Sequence, residues 1–249
     1  MVVLFVLAML GGGLNAVAGG GGFLTFPALV LMGVPPVPAN ATSIFALWPA
    51  SLVSAAAYRR DLRPDRLTLL LGLASAIGGA AGSIALLRTP NATFRAFIPW
   101  LLLAATALFI ANAPLMRWLR ARGRFTGDPT PRTLAAIAVA QLAIAFYGGY
   151  FGAGIGIFML TAFGFMGLTN IHAMNGLKTL LASFINGVSV AAFVLAGVIL
   201  WSQALVMTAG AVIGGYMGAT FAQRLDPRAI RTFVGAVGIA LTVYFFLNR

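Results

Sequence analysis

The feature that most constrains this chain is that it is apolar and repeats itself. Ile77-Gly78-Gly79 and Gly82 return about 136 residues later as Ile213-Gly214-Gly215 and Gly218. At the same spacing Arg88 matches Arg224, Arg95 matches Arg231 and Phe97 matches Phe233. Upstream, Met32-Gly33-Val34 lines up with Met166-Gly167-Leu168, Asn40 with Asn175, and the cluster Gly19 to Gly22 with Gly152, Gly154 and Gly156. An apolar chain built from two copies of one unit is a habit of membrane transporters, whose substrate site forms where the copies meet.

Composition fixes the class. Of 249 residues, 61% are hydrophobic and 8% charged, against about 25% charged in a soluble domain. The net charge of +12 is not a nucleic-acid footprint. The arginines fall in short clusters between apolar runs, the pattern of cytoplasmic loops in a membrane protein. There is no cysteine, hence no disulfide, thiolate metal site or thiol redox centre. The start, Met-Val-Val-Leu-Phe, has no basic region and its apolar run exceeds a signal peptide, so no cleaved leader is expected.

A helix needs roughly 20 apolar residues to cross the hydrocarbon layer. Residues 37–58, 67–87, 96–116, 131–150, 173–196, 203–222 and 229–247 are clean candidates. Residues 2–34 form a run too long for one span, broken by Gly19-Gly20-Gly21-Gly22, and 151–169 repeat the break. Glycine costs about 1 kcal/mol in a helix interior, and irregular backbone within a bilayer persists only where protein or a watery cavity satisfies it. These segments are therefore predicted to be broken or re-entrant helices. Gly78, Gly79, Gly82, Gly214, Gly215 and Gly218 suit close helix packing instead. Alanine at Gly20 is accordingly expected to harm transport more than alanine at Gly79.

Each broken segment returns the chain to the side it came from, so each half has odd parity and the repeats are inverted. The loops 59–66, 117–132 and 223–231 then share one side and hold twelve arginines, against three (Arg88, Arg95 and Arg249) on the other. By the positive-inside rule the 117–132 loop is cytoplasmic. Asp226-Pro227 reads as a helix start, and Thr89-Pro90-Asn91 as a break between spans. The prediction is an all-α integral membrane protein with two inverted-topology repeats, 1–125 and 126–249. It has about 8 transmembrane segments, or up to 10 with the broken pieces counted separately.

The residues point to an anion. All four acids, Asp61, Asp65, Asp128 and Asp226, fall in predicted loops, and there is no glutamate. The spans thus offer no carboxylate for a cation site or a proton relay. They carry Lys178 with Asn15, Asn40, Thr42, Ser43, Asn175, Thr179 and Asn186. Broken helices add free N–H groups and positive dipole ends that favour anions. Structural alternatives stand beside this: Lys178 snorkelling from a helix end, Asn40 and Asn175 as interhelical hydrogen-bonding residues, His172 at the interface rather than shuttling protons.

The segment Gly19-Gly20-Gly21-Gly22-Phe23-Leu24-Thr25-Phe26-Pro27-Ala28-Leu29, followed by Ala39-Asn40-Ala41-Thr42-Ser43, resembles the TauE/SafE, or sulfite exporter, family. A degenerate copy follows in Gly152-Ala153-Gly154-Ile155-Gly156 and Ala173-Met174-Asn175-Gly176-Leu177-Lys178, with Thr161 where Pro27 would recur. The resemblance covers nearly the whole chain. It implies a transporter of sulfur-containing anions such as sulfite or organosulfonates; placement in a bacterial inner membrane is expected from composition, since arginine outnumbers lysine fifteen to one.

The expected function is export of a small sulfur-containing oxyanion, with an anion channel as the alternative and no enzymatic activity. Asn15, Asn40, Thr42, Ser43, Asn175 and Lys178 are the expected anion contacts, with Gly20, Gly21, Gly22, Gly154 and Gly156 letting backbone amides approach. No cofactor and no metal site are expected. The expected partners are the anion and membrane lipid, with a homo-oligomer also compatible and nucleic acid excluded.

Overall fold

The computed structural model describes residues 1–57, 65–121, 131–168, 170–221 and 227–248. Within them the chain is helical: α1 Val2–Ala18, α2 Gly22–Leu31, α3 Pro36–Ala57, α4 Arg66–Leu87, α5 Asn91–Ala121, α6 Pro131–Tyr150, α7 Ile155–Phe165, α8 Ile171–Leu195, α9 Trp201–Phe221 and α10 Pro227–Leu247. The helices α1–α5 match α6–α10 in order and, apart from α5 and α10, in length. Four stretches, 66–87, 91–112, 132–150 and 173–195, are by length and composition able to cross a bilayer. The expected repeat boundary at 125/126 and Asp226 lie outside the described residues. The predicted span at 96–116 extends to a 31-residue helix, because neither Arg95, whose side chain is exposed, nor Pro99 and Pro114 interrupts it.

Both predicted breaks are present. Helix α1 ends at Gly19, whose φ of 74° lies in the left-handed region, and α7 starts from Gly154 at 78°. An L side chain is strained there, so glycine is what lets the backbone turn. After Gly19 the chain doubles back. A Cβ on Gly21 would lie 2.5 Å from the Gly11 carbonyl oxygen, and one on Gly11 3.0 Å from Thr25 Cγ2. The second half does the same, with the Tyr147 hydroxyl donating to the Ala153 carbonyl at 2.9 Å across the turn. Both broken segments are therefore hairpins of a long and a short helix. Left-handed Gly33 and Gly167 then close the two turns into α3 and α8.

The packing shows the inversion. Helix α1 lies on α9 in parallel, with Phe5 against Gly210, Met9 against Gly214 and Gly13 against Gly218; α6 lies on α4 the same way, with Leu142 against Gly78 and Phe146 against Gly82. Helix α3 runs with α9 (Thr42 near Leu200, Ala50 near Gly215) and α8 with α4. The start of α3 meets the start of α5, through the Val37 N–H on Asn91 Oδ1 at 2.9 Å, so α3 opposes α4. Thus α1, α3 and α9 point one way and α4, α6 and α8 the other. Equivalent helices of the two halves are antiparallel, which is an inverted repeat. The three arginine-rich connections all join helices at the same end of the molecule.

The glycines read as packing positions do pack. A Cβ on Gly78 would stand 2.5 Å from the Leu142 carbonyl oxygen and 2.7 Å from Ala145 Cβ, and one on Gly218 2.7 Å from Gly13 Cα. Backbones in contact gain dispersion energy that a larger side chain would block, the usual basis of helix association in lipid. Each half is thereby fastened to the other along two long seams.

Candidate functional site

The two hairpin turns meet each other. A Cβ on Gly19 would lie 2.5 Å from Gly156 Cα, and one on Gly22 2.8 Å from Ala153 Cα. Beside this contact lies a cavity of about 30 Å³, room for about two waters. Its walls come from both halves: Asn15, Gly19 and Gly22 at the first turn, the stripe Ser43, Leu47 and Ser51 on α3, Phe151, Gly152, Ala153, Ile155 and Gly156 around the second turn, and Lys178, Thr179, Ala182 and Asn186 along α8.

Lys178 dominates the site. It is 2% exposed, so it does not reach out to solvent as a snorkelling lysine does. Its Nζ donates to Asn175 Oδ1 at 3.0 Å, to the Ala16 carbonyl at 3.2 Å and to the Asn15 carbonyl at 3.4 Å. An ammonium has three donors, and here all three go to neutral oxygens. Two of them end α1, where the helix dipole is negative. The hydrogen bonds are satisfied and the formal charge is not. Among the described residues the sole acid is Asp65, the N-cap of α4 at the arginine-rich end. A buried charge without a counter-charge is costly, and an anion in the cavity would supply one.

Of the residues singled out from sequence, Asn15, Gly22, Ser43, Gly156 and Lys178 line this cavity. Asn175 lies one helical turn before Lys178 and receives its ammonium. The others lie outside its walls. Thr42 is turned about 100° from Ser43 around the helix, and its hydroxyl accepts the Leu200 N–H at 3.1 Å, at the start of α9. The Asn40 amide donates to the Tyr150 carbonyl at 3.2 Å, at the end of α6. Gly20 faces Phe23 and Val234, Gly21 packs on α1, and Gly154 sits against Ala105 and Phe23. The side chain of His172 lies outside the description.

Ser51 went unremarked in the sequence, and Thr179 and Asn186 were noted as buried polar groups without being placed in the site. Ser51 accepts the Asn15 side-chain amide at 3.2 Å. The signal was present: 43, 47 and 51 form one stripe at helical spacing, as do 175, 179, 182 and 186. Leu47 and Ala182 within those stripes made them look like ordinary core.

Paired re-entrant hairpins, an inverted repeat and a polar cavity at their junction define a polytopic helical membrane protein of the transporter type. A family model described as sulfite exporter TauE/SafE matches residues 4–245, and the chain belongs to that family. It is 30% identical, over 98% of its length and 91% of the relative's, to a probable membrane transporter protein, ORF9, of Sinorhizobium sp.. It is 28% identical to a probable membrane transporter protein of Haemophilus influenzae (97% and 92% covered). It is also 29% identical to the probable membrane transporter protein YfcA of Escherichia coli K12 (96% and 87% covered). No solved structure matches the chain.

Proposed function

We propose that this protein carries a small sulfur-containing oxyanion, sulfite or an organosulfonate, out of the cell across the bacterial inner membrane. The observation that carries the reading is the Lys178 ammonium, buried at the junction of the repeats and hydrogen-bonded to neutral oxygens only. Ser43, Ser51, Thr179, Asn15 and Asn186 surround it with hydroxyl and amide groups, which suit oxygen acceptors of an anion. The family description adds sulfite as the substrate class. The twelve arginines at one end support a cytoplasmic placement of the 117–132 loop. Each negative charge leaving a cell that is negative inside gains about 2.3 kcal/mol per 100 mV, so export needs no coupling carboxylate.

Lys178 Nζ ties α8 to the end of α1 beside the cavity, so an anion that takes over its hydrogen bonds would loosen that tie, which favours a carrier over an open anion channel. The broad outward apolar surface, with Leu69, Leu73, Ile77 and Val139 all exposed, suits lipid or a second copy of the chain. Flux of labelled sulfite and organosulfonates into liposomes tests the reading. Saturable, substrate-selective uptake is expected; no flux of any sulfur oxyanion, or unitary currents of open-pore size, would overturn it.

A further inference from the structure

The Lys178 ammonium is the one charged donor in the cavity wall, and its hydrogen bonds are already committed. They go to Asn175 Oδ1 at 3.0 Å, the Ala16 carbonyl at 3.2 Å and the Asn15 carbonyl at 3.4 Å. The neighbouring hydroxyls are committed too. Thr179 Oγ1 donates within α8 to the Asn175 and Gly176 carbonyls, both at 2.9 Å, and Ser51 Oγ donates within α3 to the Leu47 carbonyl at 3.1 Å. Ser43 Oγ and Thr25 Oγ1 are hydrogen-bonded to each other at 2.6 Å. An oxyanion entering this cavity gains a charge-assisted contact only by taking Lys178 Nζ from its present partners.

Two of those partners are carbonyls at the end of α1, so the same bonds join the first hairpin to α8 of the other half. Breaking them with no replacement leaves an ammonium, 2% exposed, with nothing to answer its charge, and a buried charge in that condition is costly. No carboxylate stands near to step in. Among the described residues the one acid is Asp65, the N-cap of α4 at the arginine-rich end. An anion answers both needs at once. It accepts the ammonium's hydrogen bonds and cancels its charge, so that a singly charged oxyanion makes the site a neutral pair.

We infer that the protein is an obligatory anion exchanger: its site passes from one side of the membrane to the other only with an anion on Lys178. Each oxyanion that leaves is then matched by a second small oxyanion that enters. This rests on the carrier reading above and goes beyond it, because a carrier of one anion could return unloaded. Lys178 is both the lock between the halves and the ligand that opens it. The membrane potential acts on the difference in charge between the two anions. A doubly charged oxyanion leaving against a singly charged one still moves negative charge outward, the direction the potential favours.

The test is uptake of labelled sulfite, and in parallel of labelled methanesulfonate, into liposomes carrying the full-length protein. Equal potassium on both sides with valinomycin holds the potential at zero, so charge build-up does not limit net entry. The interior holds either the same anion unlabelled or a polymeric carboxylate too large for the site. Entry roughly tenfold faster or more is expected with the small anion inside, the ratio that a barrier higher by about 1.4 kcal/mol for the unloaded return would give. In Lys178→Met, which has no ammonium to lock, the two rates should be alike and low. Equal rates in the wild type overturn exchange and leave the carrier reading standing; no protein-dependent entry under either condition removes both. A wild-type ratio that persists in Lys178→Met overturns the lysine as the lock. If that variant does not fold, the wild-type ratio alone decides.

Discussion

Lys178 Nζ lies 3.2 Å from the Ala16 carbonyl oxygen, so the one lysine of the chain ties α8 of the second half to the end of α1 of the first. The same group is the one an anion in the cavity would draw on. On the proposed function, binding and the grip between the halves would compete for a single ammonium, a physical route from substrate arrival to movement of a hairpin.

It also makes Lys178 the decisive substitution. Lys178→Met keeps the aliphatic stem and removes the charge. A buried charge-assisted hydrogen bond contributes about 1.5–3 kcal/mol, so anion flux should fall roughly ten- to a hundredfold. Lys178→Arg should restore part of it, since a planar fork replaces a compact point charge. Liposome flux of a sulfur oxyanion, compared with the melting midpoint of each variant, checks this. Wild-type flux in a folded Lys178→Met protein would reduce the lysine to a helix-end cap.

The glycines reverse one expectation. A Cβ on Gly20 would meet Phe23 at 3.4 Å and Val234 at 3.7 Å, ordinary contact, whereas one on Gly79 would lie 3.0 Å from both Ile185 Cα and O. Gly20 has no left-handed φ either. Gly20→Ala is therefore the mild change and Gly79→Ala the harmful one. Gly22→Ala, 2.8 Å from Ala153 Cα, and Gly19→Ala, in the left-handed region and 2.5 Å from Gly156 Cα, are the severe ones. Overpacking costs about 1–3 kcal/mol. Melting midpoints of the four variants should rank Gly20→Ala nearest wild type; a lower midpoint for Gly20→Ala than for Gly22→Ala would contradict the geometry.

These cases show what the sequence could carry. Hairpin breaks at Gly19 and Gly154 were legible because runs of glycine in an apolar segment have a local cost that needs no partner to evaluate. Helix positions were legible from the lengths of the apolar runs, and 131–150 coincides with α6; among the described residues, four of the seven predicted spans, 67–87, 96–116, 131–150 and 173–196, fall on stretches able to cross a bilayer. Which glycine in a run turns the chain and which fills a contact depends on the helix opposite, so Gly20 and Gly22 looked alike. Neighbouring polar residues were equally ambiguous. Thr42 and Ser43 differ by one position and so face different helices, α9 and the cavity. Ser51 was missed because a lone serine among apolar neighbours gives no sign until Asn15 is placed against it.

The seam between α4 and α6 carries a buried polar link, Gln141 Nε2 donating to Ser75 Oγ at 2.8 Å, with Gln141 2% and Ser75 0% exposed. Interhelical hydrogen bonds in membranes contribute about 0.6 kcal/mol on average, up to about 1.7. A double-mutant cycle with Gln141→Leu and Ser75→Ala should return a coupling in that range. A coupling near zero would show that the glycine contacts alone hold the seam.

Asp65 gives a pH signature at the arginine-rich end. Its side chain accepts the Thr68 N–H at 2.7 Å as the N-cap of α4. That hydrogen bond holds its carboxyl below the usual carboxylate range. A depressed folded-state value means the cap stabilises fully above the ordinary carboxylate pKa and is lost as pH falls through the lower, folded value. Asp65→Ala should lower stability at neutral pH by about 1 kcal/mol. The gap to wild type should shrink below pH 4 or so, where the carboxyl protonates. A gap that stays constant down to strongly acid pH would rule out the cap.

The last expectation concerns orientation. The ends of α3, α5 and α9 and the starts of α4, α6 and α10 lie together, and their three connections carry Arg59, Arg60, Arg63, Arg66, Arg117, Arg120, Arg122, Arg124, Arg132, Arg224, Arg228 and Arg231. Arg88 and Arg95 flank the turn between α4 and α5 at the opposite end. Positive charge near span ends resists translocation, so the crowded end should stay in the cytoplasm, and a reporter fused after Arg249 should lie outside. Paired fusions, one active only in the cytoplasm and one only outside it, placed after Arg249 and within 122–130, should give opposite signals. Like signals from the two positions would contradict the antiparallel arrangement of α10 against α5. Opposite signals of reversed sign would keep the fold and overturn the direction assigned to the arginines.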